Sequence, residues 1–496
     1  MIFEAAFWLP VAIMAPLLAA LCAFLAPQRM SPLVTMIGAA ITFVAVGFLS
    51  ALLVRDGPTR HPVGGWGAPL GIDLAADGLS ALMLMLTAVV GAAVALYAYG
   101  YFNFPGHNEE TKQRYASFWP LWLFLWSALN ALFLSRDVFN LYVTLELVSF
   151  AAVALTALAG KPDVLRAAMR YLLVSLAGSL FYLMGVAFLY GEFGVLDIDQ
   201  LKKGVTTAPS LAAAAGLMTV GLMMKTALFP LHFWLPPAHA NAIAPVSALL
   251  SGLVVKGSFY ILLRAWLEIF YPLSHTGAPY LLMGLGGVAI LWGSLQAIRQ
   301  TRLKLLIAYS TVAQIGYLFL LMPLLFVKEQ SALALTGIVC FILAHASAKA
   351  AAFLSAGAIQ LVTGDDRIAS LRGLMEMQPL AVVAFGAAGV SLAALPPSGG
   401  FIAKWFMLDA SLAHGDWLIA AIIVAGGLLA AIYVMRVVAP LFRQPDDAVL
   451  HRLTLAPKTM TLSAFSLAVL ALLLSFAGIA VMEMLSIGAI GMLGIE

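Results

Sequence analysis

The chain reads as long apolar stretches separated by short polar or Pro/Gly-rich breaks. Taking stretches of about 20 residues or more as membrane spans predicts fourteen of them. Their limits are Phe3–Ala26, Ser31–Val54, Asp77–Tyr101, Phe118–Leu134, Val138–Leu158, Leu165–Tyr190, Leu211–Leu231, Ala242–Phe270, Tyr280–Ile298, Leu303–Phe326, Ser331–Leu361, Leu380–Ala413, Trp417–Phe442 and Met460–Ile487. Two are interrupted. The seventh runs into FPLHFWLPPAHA, with Pro230, Pro236 and Pro237, and the twelfth contains LAALPPSGGFIAKWF, with Pro396 and Pro397. Proline in mid-span frees backbone carbonyls that only neighbouring protein or a water-filled cavity can satisfy. Interrupted segments at matching places in two halves point to an inverted-repeat transporter, and an odd offset of five spans inverts the second unit. The expected fold is an all-α polytopic membrane protein of about fourteen transmembrane helices, with two inverted five-helix repeats that each contain a broken helix. Residues 1–116 would hold helices one to three, 117–276 the first repeat (helices four to eight), 277–443 the second (nine to thirteen) and 444–496 the last helix.

Composition narrows the class further. With 496 residues, 63% hydrophobic and 10% charged, the chain falls far below the roughly 25% charge of soluble domains. A net charge of +3 gives no reason to expect nucleic acid. Cys22 and Cys340 each stand alone in apolar sequence, so no disulfide framework, zinc, iron–sulfur or haem motif is present and no cofactor is expected. At the N-terminus, MIFEAAFWLP carries Glu4 where a signal peptide would carry lysine or arginine; a retained first span is expected.

The basic residues split unevenly. Fifteen lie in or beside loops that follow odd-numbered spans, Lys304 and Arg452 among them, against seven after even-numbered spans: Arg55, Arg60, Arg136, Lys202, Lys203, Arg264 and Lys328. Because lysine and arginine accumulate on the cytoplasmic side, the odd loops are expected inside and both termini outside, in a bacterial-type inner (cell) membrane.

Lys225, Lys256, Lys349 and Lys404 remain, all deep within spans. A charge near the bilayer centre costs about 2.5–3.5 kcal/mol even on the lenient insertion scale, so each is a functional candidate. Glu146 is the acid deep in the fifth span, in RDVFNLYVTLELVSF. It reads either as a structural ion pair or as a switch, with Lys225 and Lys256 as the available partners; the switch is favoured, with Lys225. A carboxylate beside a buried lysine holds the proton on, and burial without it drives the proton off. His345 and Lys349, four apart in LAHASAKAAAF, share a helix face; imidazole exchanges protons near neutral pH, so the pair reads as a relay rather than a packed core histidine. Lys404 beyond the second break is the counterpart in the other half, the alternative being that it snorkels to the interface. His232 and His239 are candidates for the mouth of a path or for capping the broken helix, and less so for metal. Asp137, Lys304, Tyr309, Asp409 and Arg436 lie near span ends as accessory candidates.

Six segments carry a resemblance: FNLYVTLELV around Glu146, MMKTALFPLHFWLPPAHA around Lys225, PVSALLSGLVVKGSFYILLR around Lys256, KLLIAYSTVAQIGY from Lys304, HASAKAAAFLSAGAI from His345 and PPSGGFIAKWF around Lys404. In this order they resemble the antiporter-like membrane subunits shared by respiratory complex I, energy-converting hydrogenases and Mrp-type multisubunit Na+/H+ antiporters. VGGWGAPLGIDLAADGLSALMLML, Val63 to Leu86, is most similar to the D-type subunit of Mrp antiporters. The resemblance implies proton translocation along a lateral charged axis, with Glu146 and Lys225 as the coupled pair, Lys256 and Lys349 as relay and Lys404 as the terminal lysine. It also implies other membrane subunits as partners and H+ and Na+ as the ions. Two alternatives are a non-catalytic pump subunit of a redox-driven complex and a scaffold that moves nothing.

Overall fold

The structure, a computed structural model, describes residues 4–443 and 455–488; Phe3 and Arg452 lie outside them. Among the described residues, twelve helices are long and apolar enough to cross a membrane by length and composition. They correspond to every expected span except the seventh and twelfth, the two in which the sequence places a break. The seventh is split into Pro209–Thr226 and Leu235–Asn241, and the twelfth into Pro379–Leu392 and Gly399–His414. The fourteenth is also shorter than expected: Lys458–Leu473 ends in a 3₁₀ turn at Leu474–Phe476 before Gly478–Ser486.

Two sets of five spans share a sequence of local features. Their third members, Pro162–Phe193 and Ser331–Thr363, are the longest helices described, and each stops at a left-handed glycine, Gly194 and Gly364. Glycine takes this conformation without the steric cost of a Cβ. The chain then pairs briefly with the loop before the second member. Val138 N–H donates to Leu196 O and Ile198 N–H to Arg136 O, while Leu303 N–H donates to Asp366 O and Ile368 N–H to Thr301 O. The broken fourth members stop alike: Ala227 and Ala394 have φ of 60° and 59°, and Leu228 and Leu395 donate back to Met223 O and Val390 O. A side chain takes a further carbonyl at each break. Trp234 Nε1 donates to Met224 O at 2.9 Å and Gln314 Nε2 to Leu392 O at 3.2 Å.

At the centre lies the eighth span, Ala244–Glu268, in which every residue is buried. It contains a π turn at Leu250–Val254, which ends two residues before Lys256. The first two helices, Ala5–Leu25 and Ser31–Asp56, flank the set, and a hairpin pairs Thr59–Pro62 with Asp73–Ala76. Not all the basic residues in or beside the loops face outward. Arg136, Arg264 and Lys304 are buried, because each turns inward to a partner instead of reaching water.

Helix pairs in both sets approach through glycine. A Cβ on Gly221 would lie 2.3 Å from Gly178 O, and one on Gly316 would lie 2.4 Å from Gly286 O. Backbone cannot yield as a side-chain tip can. Gly221→Val is expected to destabilise the protein by about 1–3 kcal/mol, whereas Gly216→Ala, with nothing within 4 Å of the new methyl, leaves it unchanged or slightly steadier; thermal unfolding in detergent distinguishes them.

Candidate functional site: a buried lysine row

Glu146 and Ser149 stand on the fifth span, Ser175 on the sixth, and Lys225 in the last turn before the first break. The close crossing at Gly178 and Gly221 brings the last two helices together. Lys225 Nζ donates to Ser149 Oγ at 2.6 Å, Ser175 Oγ at 3.0 Å and Glu146 Oε1 at 3.2 Å, using all three donors of the ammonium. Glu146 thus pairs with Lys225 and not with Lys256. Tyr171 and Trp234 stack at 4.2 Å, holding the indole whose Nε1 reaches Met224 O.

Lys256, wholly buried, donates to the carbonyl of Ser251 within the π turn, where the wider turn departs from the regular α-helical ladder. Thr226 Oγ1 bonds Ser258 Oγ at 3.0 Å, tying the seventh span to the eighth beside both lysines. From here the row follows one face of the tenth span, Leu303–Leu320. Thr311 Oγ1 shares a 3.0 Å hydrogen bond with Ser251 Oγ. Lys349 donates to Ile307 O at 3.0 Å and to the Ser310 hydroxyl. Gln314 donates to Tyr433 OH at 3.0 Å, and the ring of Tyr317 lies 4.0 Å from Lys404 Nζ. Positions 304, 307, 310/311, 314 and 317 recur at the three-and-four spacing of one helix face.

Lys404 does not snorkel. It is buried, and its ammonium has the Tyr317 ring in place of a hydrogen-bonding oxygen. His345 lies buried near Lys349 but stacks on Phe341, and neither ring nitrogen bonds a described atom. His239 is likewise buried and stacked on Phe353 at 4.6 Å, with both nitrogens free of described partners. The histidines therefore do not cap the broken helix; Trp234 takes its carbonyl, while Ser398 Oγ accepts from Phe401 N–H at the second break. His232 packs on Trp292 at 4.6 Å. Among the described residues no group of three His, Cys, Asp or Glu side chains could hold a metal ion.

Of the accessory residues, Lys304 joins the row. It donates to Ala242 O at 2.9 Å and borders a cavity of about 550 Å3 that also touches Asn241, Arg302 and Gln360, on the side of the odd-numbered loops. Asp137 caps the fifth span, accepting from Asn140 N–H at 2.7 Å. Tyr309 sits half-buried against Trp292, apart from the row.

A second buried network, not expected from the sequence, closes the opposite end. Arg264 donates to Asp77 at 2.6 Å, Glu268 at 2.9 Å and Tyr260 OH at 3.1 Å; Arg136 reaches Glu268 at 2.5 Å and Asp199 at 2.6 Å. Arg60 of the hairpin pairs with Asp73 at 3.2 Å and with Asp199, beside a cavity of about 280 Å3. The spacing was its available signal: Lys256, Tyr260, Arg264 and Glu268 recur every fourth residue of one buried helix.

A multi-spanning membrane protein with a row of buried lysines is the class this geometry defines. Residues 135–430, which include Glu146 and all four in-span lysines, match the family described as NADH:quinone oxidoreductase/Mrp antiporter, transmembrane region, and the chain belongs to it. It is 37% identical over 412 residues to NADH-quinone oxidoreductase subunit N of Desulforudis audaxviator, covering 81% of this chain and 79% of that one. It is 31% identical over 396 residues to the D-type subunit of the Na(+)/H(+) antiporter of Alkalihalophilus pseudofirmus, covering 79% and 77%. A chain of the Mrp complex from Dietzia sp. DQ12-45-1b superposes with a TM-score of 0.89 at 26% identity, over 100% of this chain and 98% of that one.

Glu268 faces two buried arginines. Removing one partner of a buried ionic network leaves charge uncompensated, so Glu268→Ala is expected to cost about 3–5 kcal/mol, read as a lowered unfolding midpoint in detergent. The exposed pair Lys112 and Glu109 provides the control, with Glu109→Ala leaving the midpoint in place.

Proposed function

We propose that this chain is the proton-translocating, D-type membrane subunit of a multisubunit monovalent cation (Na+)/H+ antiporter. The observation that carries the reading is the buried row itself. Glu146, Lys225, Lys256, Lys349 and Lys404 are tied to one another's surroundings by hydroxyls and freed carbonyls on spans five to twelve, with His345 beside Lys349 and Lys304 leading to a cavity at one end of the bundle. Likeness to the Na(+)/H(+) antiporter relative and to the Mrp complex chain supports the branch.

In this reading the Glu146–Lys225 contact is the switch. At 3.2 Å the carboxylate balances the ammonium; when a charge change at the neighbouring subunit draws Glu146 away, a cation left alone in a low-dielectric interior neutralises by releasing its proton. Ser149, Ser175 and Thr226 offer that proton the first steps, and the polar face of the tenth span continues them toward Lys404. Residues 117–276 and 277–443 act as inverted repeats around this row, a division supported by their shared helix stops, loop pairings and breaks. The subunit moves ions and catalyses no bond chemistry, in a cell membrane with both termini outside and other membrane subunits as partners. Sodium needs several convergent oxygens, and the row does not gather them.

A second reading, a proton-pumping subunit of a redox-driven complex, is favoured by the 37% identity to the NADH-quinone oxidoreductase relative. Sodium efflux from vesicles holding the native complex separates the two: an imposed proton gradient alone drives it in the antiporter, whereas the pump requires an electron donor. In the intact complex, Glu146→Gln and Lys225→Ala are each expected to lower transport at least about tenfold, the 1.4 kcal/mol scale of one modest lost interaction. Full transport in both variants, with assembly retained, sinks the switch.

A further inference from the structure

A cavity of about 700 Å3 on the side of the odd-numbered loops is bordered by Arg302, Arg367, Arg372, Arg436 and Arg443, together with Pro440 of the thirteenth span. Among the described residues bordering or pairing at the cavity, five guanidinium groups face one acid. Among the described residues Asp366 is the acid that pairs with any of them, meeting Arg302 at 2.9 Å. The guanidinium groups of Arg367, Arg372, Arg436 and Arg443 bond no described residue, and Arg436 Nη1 is buried without a partner. The backbone holds this clustering in place, since Arg302 and Arg367 sit opposite each other in the antiparallel bridge between the two loops.

The apolar surface beside the cavity continues the pattern. The thirteenth span, Trp417–Leu441, ends at this cavity, and Leu428, Ile432 and Met435 on its outer face are all more than half exposed. Their spacing of four and three places them on one stripe running toward Pro440. A cationic pocket at the end of an exposed apolar stripe matches a molecule with an anionic head and a hydrocarbon tail. Guanidinium groups bind phosphate oxygens through paired N–H donors, and basic pockets between helices at the cytoplasmic face suit phospholipid heads.

We propose that this arginine pocket binds the phosphate headgroup of an anionic phospholipid, with its acyl chains along the exposed stripe of the thirteenth span. The site stands apart from the lysine row, and its occupancy is independent of which ion is moved or what drives it. The full chain, purified in detergent, is titrated with dioleoylphosphatidylglycerol or dioleoylphosphatidylcholine and read by native mass spectrometry. The expected result is at least about tenfold tighter binding of the anionic lipid, a 1.4 kcal/mol preference, and its loss in the variant Arg367→Gln/Arg436→Gln. Should that variant not fold, Arg372→Gln/Arg443→Gln, at two exposed positions, keeps the measurement readable, and Arg29→Gln is the control that retains the preference.

Equal binding of the two lipids leaves the arginines to an acidic protein partner and overturns the proposal, as does a preference that survives both arginine pairs. Displacement of the lipid by equimolar inorganic phosphate would assign the pocket to free phosphate instead. Asp446 and Asp447 lie outside the described residues. A preference that emerges only in Asp446→Asn/Asp447→Asn would give the pocket to the chain's own acids and also overturn it.

Discussion

An ammonium group inside a membrane protein has three donors to satisfy away from bulk water, while an unbroken α-helix spends its carbonyls on itself. Irregular backbone answers that shortage at Lys256 and Lys304, and hydroxyls answer it at Lys225 and Lys349. Lys225 stands at the end of a helix that breaks one residue later, and Lys256 takes a carbonyl from a π turn. Lys304 reaches Ala242 O, just ahead of the eighth span, and Lys349 takes Ile307 O together with a serine hydroxyl. Lys404 is the exception, held over the face of Tyr317. Each lysine therefore has a different environment, and its charged form is differently supported.

The tenth span ties these environments together. Its polar face supplies Ser310 to Lys349, Tyr317 to Lys404, Thr311 to Ser251 of the eighth span and Gln314 to the second helix break. The eighth span crosses this region wholly buried and ends in the Arg264–Glu268–Arg136 network. That network joins the hairpin, the third span, the fifth-span entry and the eighth-span exit at one end of the bundle. Breaks that create acceptors also weaken helices, and the tight glycine crossings at Gly178/Gly221 and Gly286/Gly316 hold the neighbouring spans in compensation.

Likeness to a quinone oxidoreductase chain and to an antiporter chain at once fits this division of labour. The matched region contains the row from Glu146 to Lys404, which is what a proton path needs whatever drives it. Glu146, partly exposed at the edge of the row, is the member of it that another chain could reach.

Hydropathy made the spans legible, and a lysine surrounded by apolar residues stood out because its cost in a bilayer is large. The same contrast exposed Glu146, the paired proline breaks and, through them, the family. Serine, threonine and tyrosine gave no such contrast, since they are tolerated on any helix face; whether Ser149 or Ser310 meets a lysine depends on how two helices cross. Arg264 and Arg136 looked like loop residues because hydropathy marks where a span ends, not which way its last side chains turn. Lys404 could have reached the interface as easily as the ring of Tyr317, and His239 could have capped a helix as easily as stacked on Phe353. The sequence by itself determined that this is a many-spanning membrane protein with buried lysines at two broken helices, since those facts follow from residue type and spacing along the chain. Only the tertiary structure decided which oxygens each lysine meets, because those contacts join residues far apart in sequence and exist only once the helices have packed.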